Sequence, residues 1–439
     1  MSVLAEVWLW GTRIGAAVLE DDADYVSFQY ASDFINSEIE VAPLTMPLGD
    51  QVYSFPALPL DTFHGLPGLL ADSLPDRFGN ALIDSWLASQ GRTPESFNAV
   101  ERLCYTGARG MGALEFHPSK GPRARTAKKI KIDKLVELAS DILTHRENLN
   151  VSFEDKKRRE ALKEILLVGT SAGGARAKAV IAWNPKTNEV RSGQISAGPG
   201  FEYWLLKFDG VSGNKDKELE DPKGYGAIEY AYHKMALDAG IEMSECRLFE
   251  ENGRRHFMTR RYDRTDYGKK LHKLSLCGIA QLDFNQAGAH SYEQAIFISR
   301  QLNLSLNVVE QLFRRMTFNI VGRNQDDHVK NIEFLMDKNG KWSLAPAFDM
   351  TYSYQPSGQW TSNHQMTLNG KRDNFALEDF NSCAQKALMK RGRAETILKE
   401  VTEVISRWKD YADEARVNVS QRDKIQKALR LNIGPYQNY

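Results

Sequence analysis

The stretch TFNIVGRNQDDHVKNIEFLMDKNGKWSLAPAFDMTY, Thr317 to Tyr352, decides how the rest of the chain is read. Apolar residues Phe313, Met316 and Ile320 approach it at helical spacing, and the pattern stops at Gly322. Asn324, Asp326, Asp327, His328, Lys330 and Asn331 are then packed into eight positions. Two apolar runs, Ile332–Met336 and Trp342–Ala347, flank Asp337-Lys338-Asn339-Gly340, and an Asn-Gly turn between such runs predicts a β-hairpin. The ends of a hairpin lie close in space. Asp326 and Asn331 on the way in and Asp349 on the way out are therefore expected to be neighbours.

That arrangement suits phosphoryl transfer. The reaction needs a carboxylate to orient the incoming hydroxyl, and oxygen ligands to hold magnesium on the nucleotide phosphates. In protein kinases an Asp is followed five residues later by an Asn, and a second Asp comes further on. Asp326 and Asn331 are five apart here, and Asp349 lies beyond the hairpin. The competing reading is a solvated polar loop followed by a surface turn. The ordered set of Asp, Asn, hairpin and Phe348-Asp349 is much rarer than either.

The chain of 439 residues is long enough for two or three domains with ordinary cores. Lys plus Arg and Asp plus Glu number 57 each, so net charge gives no reason to expect nucleic acid or a membrane surface as the direct partner. Cys104, Cys246, Cys277 and Cys383 are far apart with no C-x-x-C, which predicts reduced thiols and a cytoplasmic setting rather than disulfides or zinc. No apolar stretch is long enough for a membrane-spanning helix, and the N-terminus lacks a signal-peptide pattern.

Alternation around Gly11 predicts a hairpin over residues 4–19, with a third strand at Tyr25–Tyr30. Residues 68–90 read as a helix pair, and the carboxylates of Leu69-Leu70-Ala71-Asp72-Ser73-Leu74-Pro75-Asp76 are read as caps and turns for the second helix. Ala113–Phe116 reads as a strand, and the basic run 118–131 as a linker, since no aromatic residues interleave it. Helices are expected over Asp133–Leu143 and Phe153–Leu166. The Gly-rich segment Leu167–Lys178 lets backbone N–H groups approach phosphate, although Ala175 stands where a Walker A loop has lysine. Strand Phe201–Phe208 carries Lys207 inside an apolar run, where an unpaired ammonium would be costly; a surface-snorkelling lysine is the bland reading. Glu229, near the start of a helix over Ala227–Ala239, is the candidate carboxylate to orient it. His256–Arg264 reads as a strand leaving the sheet. Helices at Tyr292–Leu302, Leu306–Val321, Leu377–Ala387 and Ala394–Ala415 fill the rest.

These residues resemble the HipA family of serine/threonine kinase toxins of type II toxin–antitoxin systems. The resemblance rests on Leu69–Asp76, Ser171–Lys178, Leu205-Leu206-Lys207 and Arg260–Arg264. It rests most of all on Asp326-Asp327-His328-Val329-Lys330-Asn331 followed by Ala347-Phe348-Asp349. It implies an α+β, two-lobed, protein-kinase-like fold. A β-rich N-terminal subdomain would span 1–120, a mixed α/β N-lobe 121–264 and a mostly helical C-lobe 265–439. It also implies ATP and Mg2+ as cofactors and a protein substrate, with an aminoacyl-tRNA synthetase as the suggested class. A HipB-like helix-turn-helix antitoxin is the implied partner, with DNA contacted mainly through that antitoxin. By the same resemblance Asp326 is catalytic, and Asn331 and Asp349 are the metal ligands. ATP binding falls to Gly173, Gly174, Ala175, Arg176, Ala177, Lys178, Lys207, the hinge residues Arg260, Arg261 and Tyr262, and His328, Lys330, Asn331, Phe348 and Asp349. Ser171 is the implied autophosphorylation site, with Thr170 beside it as the alternative. Two residues depart from the family pattern: Arg176 replaces a neutral amide, and Asp327, in place of the usual Gly, could add a third carboxylate. Two other readings stay open, a metal-dependent nuclease or phosphohydrolase using Asp326, Asp327, His328 and Asp349, and a catalytically idle component of a DNA repressor.

Overall fold

The computed structural model describes residues 2–122, 129–144, 162, 164–166, 168–169, 176–211, 223–265 and 268–435. The first sheet contains β1 (Val3–Leu9), β2 (Thr12–Leu19), β3 (Ser27–Tyr30), β4 (Val52–Tyr53) and β5 (Leu114–His117), in the antiparallel order β4-β3-β2-β1-β5. The expected hairpin is β1–β2; period-two alternation turns Ala5, Val7 and Leu9 of β1 inward, and β2 buries both Ile14 and Ala17 because the register shifts opposite Val7 and Trp8. Gly15 is required in β2, because a Cβ there would sit 2.4 Å from the Gln29 carbonyl and 2.6 Å from the Phe28 ring.

The expected helix pair at 68–90 is a single turn, Gly68–Ala71, and a helix, Arg77–Ala88, separated by Pro75. Asp76 caps the second helix by accepting from the Gly79 N–H at 2.6 Å. Helix Ala99–Thr106 was not among the expected elements. Its signal is the capping box of Asn98 and Glu101, in which each side chain accepts the other's backbone N–H, at 2.9 and 3.3 Å. Helix Ile132–Thr144 matches the expectation there, and most of the helix expected over Phe153–Leu166 lies outside the described residues.

The second sheet holds β6 (Lys178–Asn184), β7 (Glu189–Ser192), β8 (Glu202–Lys207), β9 (Cys246–Glu251) and β10 (Arg254–Arg260), in the order β7-β6-β8-β10-β9. β10 ends earlier than the sequence suggested, and Arg261 donates its backbone N–H to the Tyr203 carbonyl as the chain leaves the sheet. Helix Tyr225–Asp238 packs against β9 and β10.

The hairpin read from the opening stretch is β13 (Glu333–Met336) with β14 (Trp342–Leu344), turning at Gly340, whose φ is +77°. β11 (His272–Ser275) joins as a third strand on β13. A short parallel pair, β12 (His290–Ser291) and β15 (Met366–Thr367), lies beyond. Around them are helices Tyr292–Gln301, Leu306–Val321, Leu377–Lys386, Arg393–Ser406, Trp408–Glu414 and Val419–Ala428. The helix expected over Ala394–Ala415 is thus two, broken at Arg407.

One buried apolar cluster runs from Val7, Phe28 and Leu70 of the N-terminal part to Phe313, Phe318 and Trp408 of the helical half. A second joins Phe78, Leu82 and Tyr105 to Trp204, Leu206 and Phe208 of the second sheet. Each such side chain contributes about 1.5–3 kcal/mol on burial, so the N-terminal part is fastened to both other parts. The indole of Trp10 donates to the Lys270 carbonyl at 2.7 Å, and that of Trp342 donates to Glu40 at 3.2 Å. All four cysteines are free and buried. Among the described residues no helix is long and apolar enough to cross a membrane.

Candidate active site

Lys207 ends β8, opposite Phe257 of β10 and Lys178 of β6, with its side chain 9% exposed. An ammonium there needs anions, and the neighbouring elements supply two. Nζ donates to Oε1 of Glu229 at 2.5 Å and pairs with Oδ1 of Asp349. Burial disfavours the charged amine, but Asp349 and Glu229 outweigh it and hold the lysine above its ordinary range. Glu229 comes from the first turns of helix Tyr225–Asp238, as the sequence suggested. Its second oxygen accepts from Arg176 Nη1 at 3.0 Å, and the Arg176 guanidinium lies 4.5 Å from the Tyr225 ring centroid. Two cations and two carboxylates thus balance in one cluster, buried except for Asp349, whose side chain is 29% exposed. Active protein kinases require a Lys–Glu pair between a strand and a helix, and the Lys207–Glu229 pair has that placement.

The ends of the hairpin meet at this cluster. Asn331 closes a short turn, Val329–Asn331, and its Nδ2 donates to the Asp326 carbonyl at 2.8 Å, leaving Oδ1 as an oxygen donor. Asp349 adopts φ +51°, a left-handed conformation that Asp tolerates better than most residues. Its carbonyl accepts from Asn324 Nδ2 at 3.2 Å, and Ala347 N–H is tied to Glu242 O at 2.8 Å. Asn331 and Asp349 line one cavity with Asn324, Asp327, His328 and Phe348. An amide oxygen and a carboxylate are hard donors of the kind magnesium takes, so the residues present fit that ion.

Asp326 is open to solvent, its side chain 42% exposed. Trp360 Nε1 donates to its Oδ1 at 2.6 Å, and His328 Nε2 is 3.8 Å from the same oxygen. Sequence reasoning missed Trp360. It lies in a polar loop 34 positions on, with no local pattern to single it out.

Asp327 does not add a third carboxylate to the cavity's chemistry. It is 2% exposed, and its oxygens accept from the Tyr292 hydroxyl (2.5 Å), His364 Nδ1 (2.7 Å) and the Gln365 N–H (2.8 Å). A carboxylate so saturated anchors the loop. Lys178 also departs from expectation. It is the first residue of β6 rather than part of a loop, and its ammonium lies 3.1 Å from Asp76 with 2% exposure. Ala177 is buried in the second core. Gly173, Gly174, Ala175, Ser171 and Thr170 lie outside the described residues.

At the expected hinge, the Arg260 side chain faces Glu245 at 3.6 Å. Arg261 grips Asp263 with two bonds, 2.9 and 2.6 Å, both side chains being fully buried. Burial alone would raise the Asp263 carboxyl, but Arg261 and Arg264 hold it well below the usual range. Gly112 N–H, from the N-terminal part, also donates to Asp263 at 2.7 Å. The Tyr262 ring packs 5.6 Å from Phe348, and its hydroxyl donates to Glu333 at 2.6 Å. Lys330 extends over the Phe284 ring at 4.3 Å, and His328 packs 5.6 Å from the same ring.

The carboxylates read as caps have further work. Asp72 accepts from Ser275 N–H at 2.8 Å and from its hydroxyl at 2.5 Å, joining the N-terminal part to β11.

The family description HipA-like C-terminal domain matches residues 170–408, and HipA N-terminal domain matches 5–117. A Haemophilus influenzae protein named "Putative kinase" is 28% identical over 134 residues, which is 28% of this chain and 39% of that protein's length. The solved structure of Shewanella oneidensis HipA, in complex with HipB and operator DNA, superposes with a TM-score of 0.66 at 16% identity. The alignment covers 97% of this chain and 94% of that one, a likeness of fold.

Proposed function

Because the chain belongs to the HipA family, we propose that it is an ATP-dependent serine/threonine protein kinase acting as the toxin of a toxin–antitoxin pair. The observation that carries this reading is Lys207, bonded to both Glu229 and Asp349, with Asp349 in turn lining a cavity together with Asn331. Magnesium-bound ATP supplies the phosphoryl group. Asn331 Oδ1 and the Asp349 carboxylate would hold the metal, and Lys207, kept charged by its two carboxylates, is the cation for phosphate oxygens. Asp326 accepts the hydrogen bond of the acceptor hydroxyl and orients it for attack. Tyr262 and Phe348, packed together, form an apolar wall suited to a purine.

A metal-dependent nuclease is the poorer reading, since the oxygens of Asp327 are occupied by Tyr292, His364 and Gln365. The substrate class suggested by the resemblance is an aminoacyl-tRNA synthetase, and the partner is a HipB-like DNA-binding antitoxin; the superposed Shewanella protein was solved with such a partner. Ser171, beside Thr170, is proposed as an autophosphorylation site. A phosphoserine there would place nearly two negative charges next to the nucleotide's own, and weaken its binding.

The test is incubation with γ-labelled ATP, magnesium and cell extract, followed by mass spectrometry of labelled polypeptides and of this chain. Label in protein substrates, absent with Asp326→Ala, is the expected result. No transfer by the wild-type chain under any metal would overturn the proposal.

A further inference from the structure

Asp326 carries the proposed chemistry from an exposed position, where a carboxylate is free to rotate unless something holds it. Among the described residues, the two groups near it, Trp360 Nε1 at 2.6 Å and His328 Nε2 at 3.8 Å, both face Oδ1, and Oδ2 is left clear. The indole is half-buried and is itself held. The two hydrogens of Gln365 Nε2 are shared among three carbonyls, those of Trp360, Asn363 at 3.0 Å and Gln325 at 3.3 Å. The Gln365 N–H reaches Asp327 at 2.8 Å. The loop that presents Trp360 is thus stapled to the residues on either side of Asp326, and Gln365 is only 3% exposed. The Trp360 ring also lies 6.4 Å from the His328 ring, which packs on Phe284. An indole nitrogen is a donor with no acceptor capacity, so it can fix one carboxylate oxygen without competing for a proton.

We propose that Trp360 is a positioning residue for phosphoryl transfer: its N–H fixes Oδ1 of Asp326 so that Oδ2 faces the acceptor hydroxyl. This rests on the kinase reading above and names a residue of the same site. Orientation of a base matters because small misplacements cost large factors in rate. The contact leaves Lys207, Asn331 and Asp349 untouched, so its loss should appear in the chemical step and not in nucleotide binding.

The test replaces Trp360 in three ways and measures kcat and the KM for ATP in the same transfer assay. Trp360→Phe removes the donor and part of the ring. Site-specific benzothienylalanine keeps the bicyclic outline and puts sulfur where the N–H was. Site-specific 7-azatryptophan keeps the N–H and serves as the conservative variant. The expected result is a kcat lower by about tenfold to a hundredfold with phenylalanine and benzothienylalanine, the range of one hydrogen bond to a charged group. The KM for ATP should stay within about twofold of wild type, and azatryptophan should restore most of kcat. A benzothienylalanine protein with wild-type kcat would overturn the proposal and leave the kinase reading intact, as would equal losses with both bicyclic analogues, which indicate a packing role. A wild-type chain that transfers no phosphate overturns the kinase reading itself, and this proposal with it.

Discussion

Glu229→Gln tests the buried charge cluster most directly. Glu229 is 1% exposed and spends one oxygen on Lys207 at 2.5 Å and the other on Arg176 at 3.0 Å. Glutamine keeps the shape and one acceptor oxygen but offers N–H donors where the second cation needs an acceptor. Removing one partner of a buried ion pair costs about 3–5 kcal/mol, because the other charge stays behind in low dielectric. Lys207 retains Asp349, which reduces the loss to about 2–4 kcal/mol by the same reasoning. The assay is guanidinium denaturation of the full chain at neutral pH. Arg176→Gln should be milder, since Glu229 keeps Lys207. The double variant should lose less than the sum of the singles, as residues that share a partner couple. Under the proposed kinase activity, phosphotransfer by Glu229→Gln should also fall at least about tenfold, since the Lys–Glu pair would position the amine that meets phosphate. A change in unfolding free energy within about 0.5 kcal/mol of wild type, the range of an inert surface substitution, would refute the cluster's role.

Three further outcomes are expected. Asp326→Ala should abolish phosphotransfer with an unchanged thermal melt, because that side chain is 42% exposed, whereas Asp349→Ala should also weaken magnesium-dependent ATP binding measured by calorimetry. Stability should fall as pH drops from neutrality towards 4. His233, His256 and His272 are pushed down to about 4, mainly by burial, so below the ordinary imidazole range the unfolded chain takes up protons that the native chain refuses. Between about pH 6.5 and 4 each of these three contributes a loss approaching 1.4 kcal/mol per pH unit; a denaturation midpoint flat across that window would contradict their burial as neutral rings. Asp263→Asn, which leaves Arg261 and Arg264 facing a neutral amide, should cost about 3–5 kcal/mol in the same denaturation experiment, and a loss under about 0.5 kcal/mol would show that this buried ion cluster is dispensable for stability.

Much of this site was legible because local spacing and chemistry coincide there. An Asn-Gly turn between apolar runs fixes a hairpin, and a hairpin fixes which residues lie at its ends, so Asp326, Asn331 and Asp349 could be placed together from sequence. Lys207 was legible for a different reason: charge inside an apolar strand demands a partner, and Glu229 was the available carboxylate on the next helix. What escaped was long-range. Trp360 meets Asp326 only through loop tracing, and Asp327 is saturated by Tyr292 and His364, which lie 35 positions before it and 37 after it. Nothing in the motif distinguishes that anchoring carboxylate from a metal ligand. Lys178 was assigned to the phosphate loop by its place in a motif, yet its partner Asp76 sits about a hundred positions earlier, in a segment read as mere capping. Helix Ala99–Thr106 was different, since its capping box was visible and went unused.

The same kind of long-range contact ties the N-terminal part to the residues around the candidate site. Asp72 holds Ser275 of β11 and lies 3.9 Å from Lys273, which donates to Glu333 at 2.6 Å, and Glu333 in turn accepts from Tyr262. Tyr262 packs on Phe348, next to Asp349. Burial raises the Glu333 carboxyl and the Lys273 charge counters it, so this relay is a buried polar chain in which each member depends on the next. A second route passes from Gly112 through Asp263 to Arg261. Both routes end in the segment that joins the two lobes. The β-rich part is therefore bonded into the segment around Arg261–Asp263 rather than standing apart as an appended module. A ligand that preferred one placement of that part would bias the hinge by its differential affinity for the two placements, and by no more than that.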